Sequence, residues 1–129
     1  LSWQNFSFYF VLNLDTGPHM QYEEMKEKLD EYNWDDGFGF PKKIVADSNC
    51  DLALALEVFY LADGDGFLYD YPDEPEGNAT WKKFVKKLMQ DILTGKYSVT
   101  DRHFEIPLSK VQRYKLDKLG VPEVFLQDL

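Results

Sequence analysis

The sequence predicts an α+β fold that is predominantly helical, with about five helices around one core and a small sheet. The helices are predicted because apolar residues recur at helical spacing through 81–93 and a nearly all-apolar segment runs from 51 to 62. The sheet is predicted because apolar residues alternate in 6–14 and again in 103–108. With 129 residues and no linker or repeat, we expect a single domain over residues 1–129.

The first two expected elements are a strand and an amphipathic helix. In 6–14, one face of an extended strand would carry only apolar side chains, those of Phe6, Phe8, Phe10, Leu12 and Leu14. The spacing of Trp3, Phe6 and Phe10 also fits a helix, so both interpretations stay open. From about 18 to 32 the pattern predicts a helix with an apolar stripe and an acidic outer face.

Turn and cap residues dominate the segment 33–64. Asn33 to Phe40 is expected to form a turn, and Pro41 to open a short helix that ends near residue 47. Ser48 and Asn49 are candidate caps, and Asp51 suits the first turn of the next helix, which Gly64 ends. We expect the carboxylates of this segment to accept backbone N–H bonds at the turn and at the cap; these are Asp35, Asp36 and Asp51.

The remaining chain alternates loops with regular elements. An acidic loop follows residue 62, with a short strand at 67–71 as one interpretation. Thr80 is expected to cap the helix 81–93, which Gly95 ends. Residues 103–108 would pair with the N-terminal strand. Ser109 would then cap a last helix that runs to about residue 119.

The sequence does not point to a reaction centre. Cys50 is the only cysteine, and His19 and His103 lie too far apart in the sequence to match a metal-ligand motif. We therefore expect no metal, no catalytic triad and no cofactor. Asp63-Gly64-Asp65-Gly66 could suggest a calcium loop, but apolar residues follow where further ligands would be needed. We therefore expect a protein that is not an enzyme and that acts through its surface.

The two halves of the chain carry opposite charge. Residues 1–79 hold 17 acidic and 4 basic side chains, whereas 80–129 hold 6 acidic and 10 basic ones, within a net charge of −9. Such acidity disfavours nucleic acid as a partner, and the absence of a long apolar run disfavours a membrane span. We therefore expect a cytoplasmic protein whose partner is a basic protein, attracted by complementary charge. Its oligomeric state stays open.

The expected partner-binding residues lie in one acidic tract that is interleaved with aromatic residues. Charge would steer a basic partner toward this tract, and the aromatic side chains would supply the anchors that carry most of the binding energy. The candidate residues are Asp63, Asp65, Phe67, Tyr69, Asp70, Tyr71, Asp73, Glu74 and Glu76.

Two sequence blocks, NWDDGFGFP and NCDLALALEVFYLADG, resemble the pattern of the bacterial DUF4274 family, NWDDGF-x-P followed by CDL-x-x-A-L and ADG. The chain departs from it at Ala53-Leu54, where the family often has Gly-Thr. The resemblance implies a small helical protein of the immunity type found in bacterial toxin systems. We therefore expect an immunity protein that neutralises a cognate toxin by direct binding. The alternatives are a phage-type acidic inhibitor that mimics nucleic acid toward a defence protein, and a small enzyme.

Overall fold

The computed structural model describes residues 19–129, which contain five α-helices around one core. The helices are α1 (Tyr22–Asp30), α2 (Gly39–Ala46), α3 (Leu52–Leu61), α4 (Ala79–Leu93) and α5 (Lys110–Lys118). Short 3-10 helices occupy Trp34–Asp36, Gly64–Phe67 and Glu123–Phe125. The central helix α3 contacts α2, α4 and the 3-10 helix Gly64–Phe67.

The predicted sheet is wrong for the described residues, because residues 19–129 contain no β-strand. Residues 103–108 exchange backbone hydrogen bonds with the chain end only at Phe104 and Leu129, over 3.0 and 2.9 Å. Side chains bind the next backbone groups instead: Asp128 accepts from the Ile106 N–H, and Arg113 donates to the Ile106 carbonyl. Side chains, and not a neighbouring strand, therefore satisfy the backbone groups of Ile106. The proposed strand at 6–14 lies outside the described residues.

The strand considered at 67–71 is also absent, because this segment forms the end of a 3-10 helix followed by turns.

The predicted caps need two corrections. Asn78, not Thr80, caps α4: its side-chain oxygen accepts from the N–H groups of Thr80 and Trp81. Asp51, and neither Ser48 nor Asn49, is the N-cap of α3. Ser109 caps α5 as predicted, in a capping box with Gln112.

The core forms around α3, whose residues are buried on nearly every side; they are Leu52, Ala53, Leu54, Ala55, Leu56, Val58 and Phe59. Phe84, Val85 and Leu88 of α4 are buried in the same cluster. The indole of Trp81 is only partly buried and packs against the edge of this cluster. Helices α3 and α4 therefore cover each other's apolar residues.

Asp51 is the one buried charged residue among the described residues, with 4% of its surface exposed. Its carboxylate accepts three hydrogen bonds, from the Leu54 N–H (2.9 Å), the Thr100 hydroxyl (2.7 Å) and the Arg102 guanidinium (3.2 Å). Arg102 in turn stacks on the ring of Tyr22, 3.6 Å from its centroid. Burial alone would raise the pKa of Asp51, but the bonds from Thr100, Leu54 and Arg102 outweigh it and lower that pKa.

Within residues 19–129, no helix has the length and apolar character that crossing a bilayer requires.

We expect Asp51→Ala to lower the free energy of unfolding by about 2–3 kcal/mol, because the change removes a helix cap and a charged hydrogen-bond acceptor together. Urea denaturation measures this loss. Asp36→Ala is the matched control: Asp36 is exposed and makes no side-chain hydrogen bond to a described residue, so its loss should stay within about 0.5 kcal/mol. Equal losses in the two variants would contradict this role of Asp51.

The stability difference between the wild type and Asp51→Ala should also depend on pH. Because folding lowers the pKa of Asp51 from its ordinary 3.8, the ionised carboxylate stabilises the folded state fully above that value. The contribution is lost as the pH falls through the lower, folded-state pKa. Urea melts between about pH 7 and pH 2.5 should therefore show a constant difference that shrinks only below about pH 4.

Candidate functional site

The acidic tract 63–76 folds as a packed segment against α4. The indole N–H of Trp81 donates to the carbonyl of Ala62 over 2.7 Å, and its ring lies 5.2 Å from the ring of Phe67. Gly66 and Gly77 lie so close to the indole that a Cβ atom would approach it to 3.2 and 2.8 Å. Trp81 therefore holds both ends of the tract on the surface of the core.

The first turn of the tract depends on a sharp change of chain direction after α3. Asp63 adopts a left-handed conformation, with a φ of 58°. The next residue, Gly64, is buried, and a Cβ atom there would lie 2.5 Å from the carbonyl oxygen of Phe59 and 2.7 Å from its ring. Only glycine fits this position. The Asp-Gly pair thus ends α3 and directs the tract over Phe59.

The three aromatic residues of the tract have different environments. Phe67 is buried, with 4% exposed, and cannot contact a partner directly. Tyr71 is half-buried against the core. Tyr69 remains exposed over 45% of its surface. Of the three predicted aromatic anchors, Tyr69 therefore has the largest exposed fraction available to a partner.

The hydroxyl of Tyr69 makes two long polar contacts. It donates to the carboxylate of Asp65 over 3.4 Å and accepts from the amide of Gln112 over 3.3 Å. Burial and the Asp65 carboxylate raise the pKa of Tyr69, so the hydroxyl stays protonated at neutral pH. Both contacts are longer than typical hydrogen bonds, so they hold the side chain only weakly.

Most carboxylates near Tyr69 are exposed and have no ion-pair partner among the described residues; these are Asp63, Asp70, Asp73 and Glu76. Glu74 differs, because its carboxylate lies 2.6 Å from the ammonium group of Lys86. The hydrogen bond and charge of Lys86 lower the pKa of Glu74. Four exposed carboxylates of the tract therefore form no ion pair with a described residue.

Helix α5 extends this surface, a feature that the sequence analysis missed. Gln112 brings the helix beside Tyr69, because its amide donates to the Tyr69 hydroxyl over 3.3 Å. Leu116, four residues later on the same face of α5, is buried and holds this face of the helix against the core. We call the tract 63–76 together with Gln112 the acidic-aromatic surface.

Two of the three predicted backbone acceptors are wrong. Asp35 and Asp36 are exposed, and their carboxylates accept no hydrogen bond from a described residue. Asn33 performs the capping instead, since its side-chain oxygen accepts from the Asp35 N–H over 3.0 Å. Only Asp51 acts as predicted, and the carboxylates of Asp35 and Asp36 form no cap among the described residues.

Cys50 is buried beside Asp51, as expected for a small apolar side chain. Burial, followed by the charge of Asp51, raises the pKa of its thiol to about 12. The thiol is therefore protonated at neutral pH in the protein as described. Residues 19–129 contain no cluster of three or more histidine, cysteine or acidic side chains arranged to hold a metal ion.

We expect Gly64→Ala to lower the free energy of unfolding by about 1–3 kcal/mol, because the new methyl group would overlap Phe59. Thermal denaturation measures the loss. Gly39→Ala, at the start of α2, is the control: no atom lies within 4 Å of its Cβ position, and the change should be neutral or stabilising by up to about 1 kcal/mol. Similar melting temperatures for both variants would contradict this prediction, because the structure would then relieve the contact between the new methyl group and Phe59 at little cost.

Comparison with known proteins identifies the family of the chain. Neither curated proteins nor solved structures give a match. The family model of DUF4274, described as a domain of unknown function, matches residues 22–93, which is more than half of the chain and spans α1 to α4. The resemblance carried by the NWDDGF and CDL blocks is thereby confirmed, and the chain belongs to the DUF4274 family.

Proposed function

We propose that the protein is a non-enzymatic binding protein whose acidic-aromatic surface covers the basic surface of a protein partner. The observation that carries this proposal is the exposed ring of Tyr69 among carboxylates that no described cation neutralises. Tyrosine is enriched among residues that dominate binding energy, because its ring buries a large area and its hydroxyl still forms a hydrogen bond.

The charge of this surface supports a basic partner. With a net charge of −9, the whole molecule attracts cations, and the unpaired carboxylates concentrate that field at the tract. Toxins that act on nucleic acids carry cationic clefts, and an acidic protein gains association rate and specificity when it covers such a cleft. The partner that we propose is therefore a basic toxin domain, and the protein would act as its immunity protein.

Co-expression tests the proposed function directly. The partner to try is a toxin domain encoded beside the gene of this protein. Expression of that domain alone should arrest growth, and co-expression of the wild-type chain should restore it. A chain that forms no complex with the toxin and does not protect the cell would contradict the immunity function.

We expect Tyr69→Ala to weaken the complex at least about tenfold, mainly through faster dissociation, because the anchor ring is lost. Tyr69→Phe is the matched variant, since it keeps the ring and loses only the hydroxyl contacts with Asp65 and Gln112. It should bind within a fewfold of the wild type. Surface plasmon resonance with the purified toxin domain measures both rates. Unchanged dissociation in Tyr69→Ala would place the interface elsewhere.

The charge contribution is tested with Asp70→Lys/Asp73→Lys. Reversal of these two exposed charges should slow association about tenfold or more at low salt and flatten its salt dependence, while dissociation changes less. Glu27→Lys/Glu31→Lys is the control, because it makes the same change in net charge at two exposed positions, one in α1 and one at its C-terminal cap. If the α1 pair slows association more than the tract pair, the partner binds at α1 and the proposed surface is wrong.

A further inference from the structure

A second surface of the molecule carries the opposite charge. A groove of about 400 Å³ lies between α2 and α4, outside the acidic-aromatic surface. Val45 of α2 and Phe84 and Leu88 of α4 form its apolar floor. This volume is in the range of sites that bind small molecules.

Four lysines and a single acid surround this floor. Lys42 comes from α2, Lys83 and Lys87 come from α4, and Lys96 follows α4. The acid, Asp91, binds two of them: its carboxylate oxygen lies 2.6 Å from the ammonium of Lys87 and 3.4 Å from that of Lys96. The groove therefore keeps an excess of positive charge in a molecule whose net charge is −9.

The two remaining lysines have no acidic partner among the described residues. Lys42 and Lys83 lie on different helices and line the same groove. Like charges on neighbouring elements repel each other, and no acidic side chain of the described residues pairs with either of these two lysines. An anion in the groove would interact favourably with both unpaired ammonium groups and relieve this repulsion.

We propose that this groove binds a small amphipathic anion, with an apolar body on the floor and a carboxylate or similar anionic group near Lys42 and Lys83. An inorganic anion would leave the apolar floor uncovered, and a nucleic acid backbone has no apolar part to place there. Lysine suits such a head group because its ammonium acts as a point charge and requires no paired oxygen geometry. This site is independent of the proposed toxin binding, and its test needs no protein partner.

Titration of the ¹⁵N-labelled chain with octanoate, followed by NMR, tests the proposal. Octanoate should shift the backbone amides of residues 42–46 and 83–88 in a saturable manner. Octanamide, which keeps the apolar body without the charge, and acetate, which keeps the charge without the body, should each bind at least about tenfold more weakly. Equal binding of octanoate and octanamide would overturn the proposal, as would shifts outside the groove.

Two variants with the same change in net charge complete the test. Lys42→Glu/Lys83→Glu should weaken octanoate binding about tenfold or more, because both unpaired cations are reversed. Lys43→Glu/Lys115→Glu alters exposed lysines that do not line the groove and should bind as the wild type does. Equal weakening by both pairs would show attraction by net charge alone. An acidic peptide that shifts the groove amides when octanoate does not would also overturn the proposal.

Discussion

The burial of α3 is the constraint on which the rest of the structure depends. This helix is apolar on nearly every side, so it can exist in water only when other elements enclose it. Helices α2 and α4 and the turn after Gly64 cover it, and the chain end contributes Phe125, whose ring lies 4.8 Å from that of Phe59. The hydroxyl of Tyr60 donates to the Phe125 carbonyl and fixes the chain end to the same helix.

A buried helix still has to satisfy the polar groups at its N-terminus, and Asp51 does so while joining three segments. Its carboxylate caps α3 and binds Thr100 and Arg102, and the Leu52 N–H donates to the Ser98 carbonyl over 2.9 Å. Through Arg102 and its stacking on Tyr22, the same network reaches α1. The cap therefore fixes the position of α1 and of the 98–102 segment relative to α3.

Helix α4 positions both candidate binding surfaces. Its first turn carries Trp81, which holds the acidic tract against the core. Further along the same helix, Lys83 and Lys87 line the groove with Lys42 of α2. Because one rigid helix separates the two surfaces, the opposite charges of the chain do not neutralise each other, apart from contacts such as that between Glu74 and Lys86. The proposed basic partner and the proposed small anion would thus bind at separate sites.

The sequence by itself determined what acts over a few residues: the helical periods of α3 and α4, the Ser109 cap, the end of α3 at Asp63-Gly64 and the composition of the acidic tract. The tertiary structure decided what depends on residues far apart in the chain. Asp128 and Arg113 bind the backbone groups of Ile106, and Trp81 covers Phe67 while Tyr69 stays exposed. Lysines from α2 and α4 formed one groove. Periodicity and caps report local geometry, whereas burial and charge pairing are determined by neighbours that only the folded chain brings together.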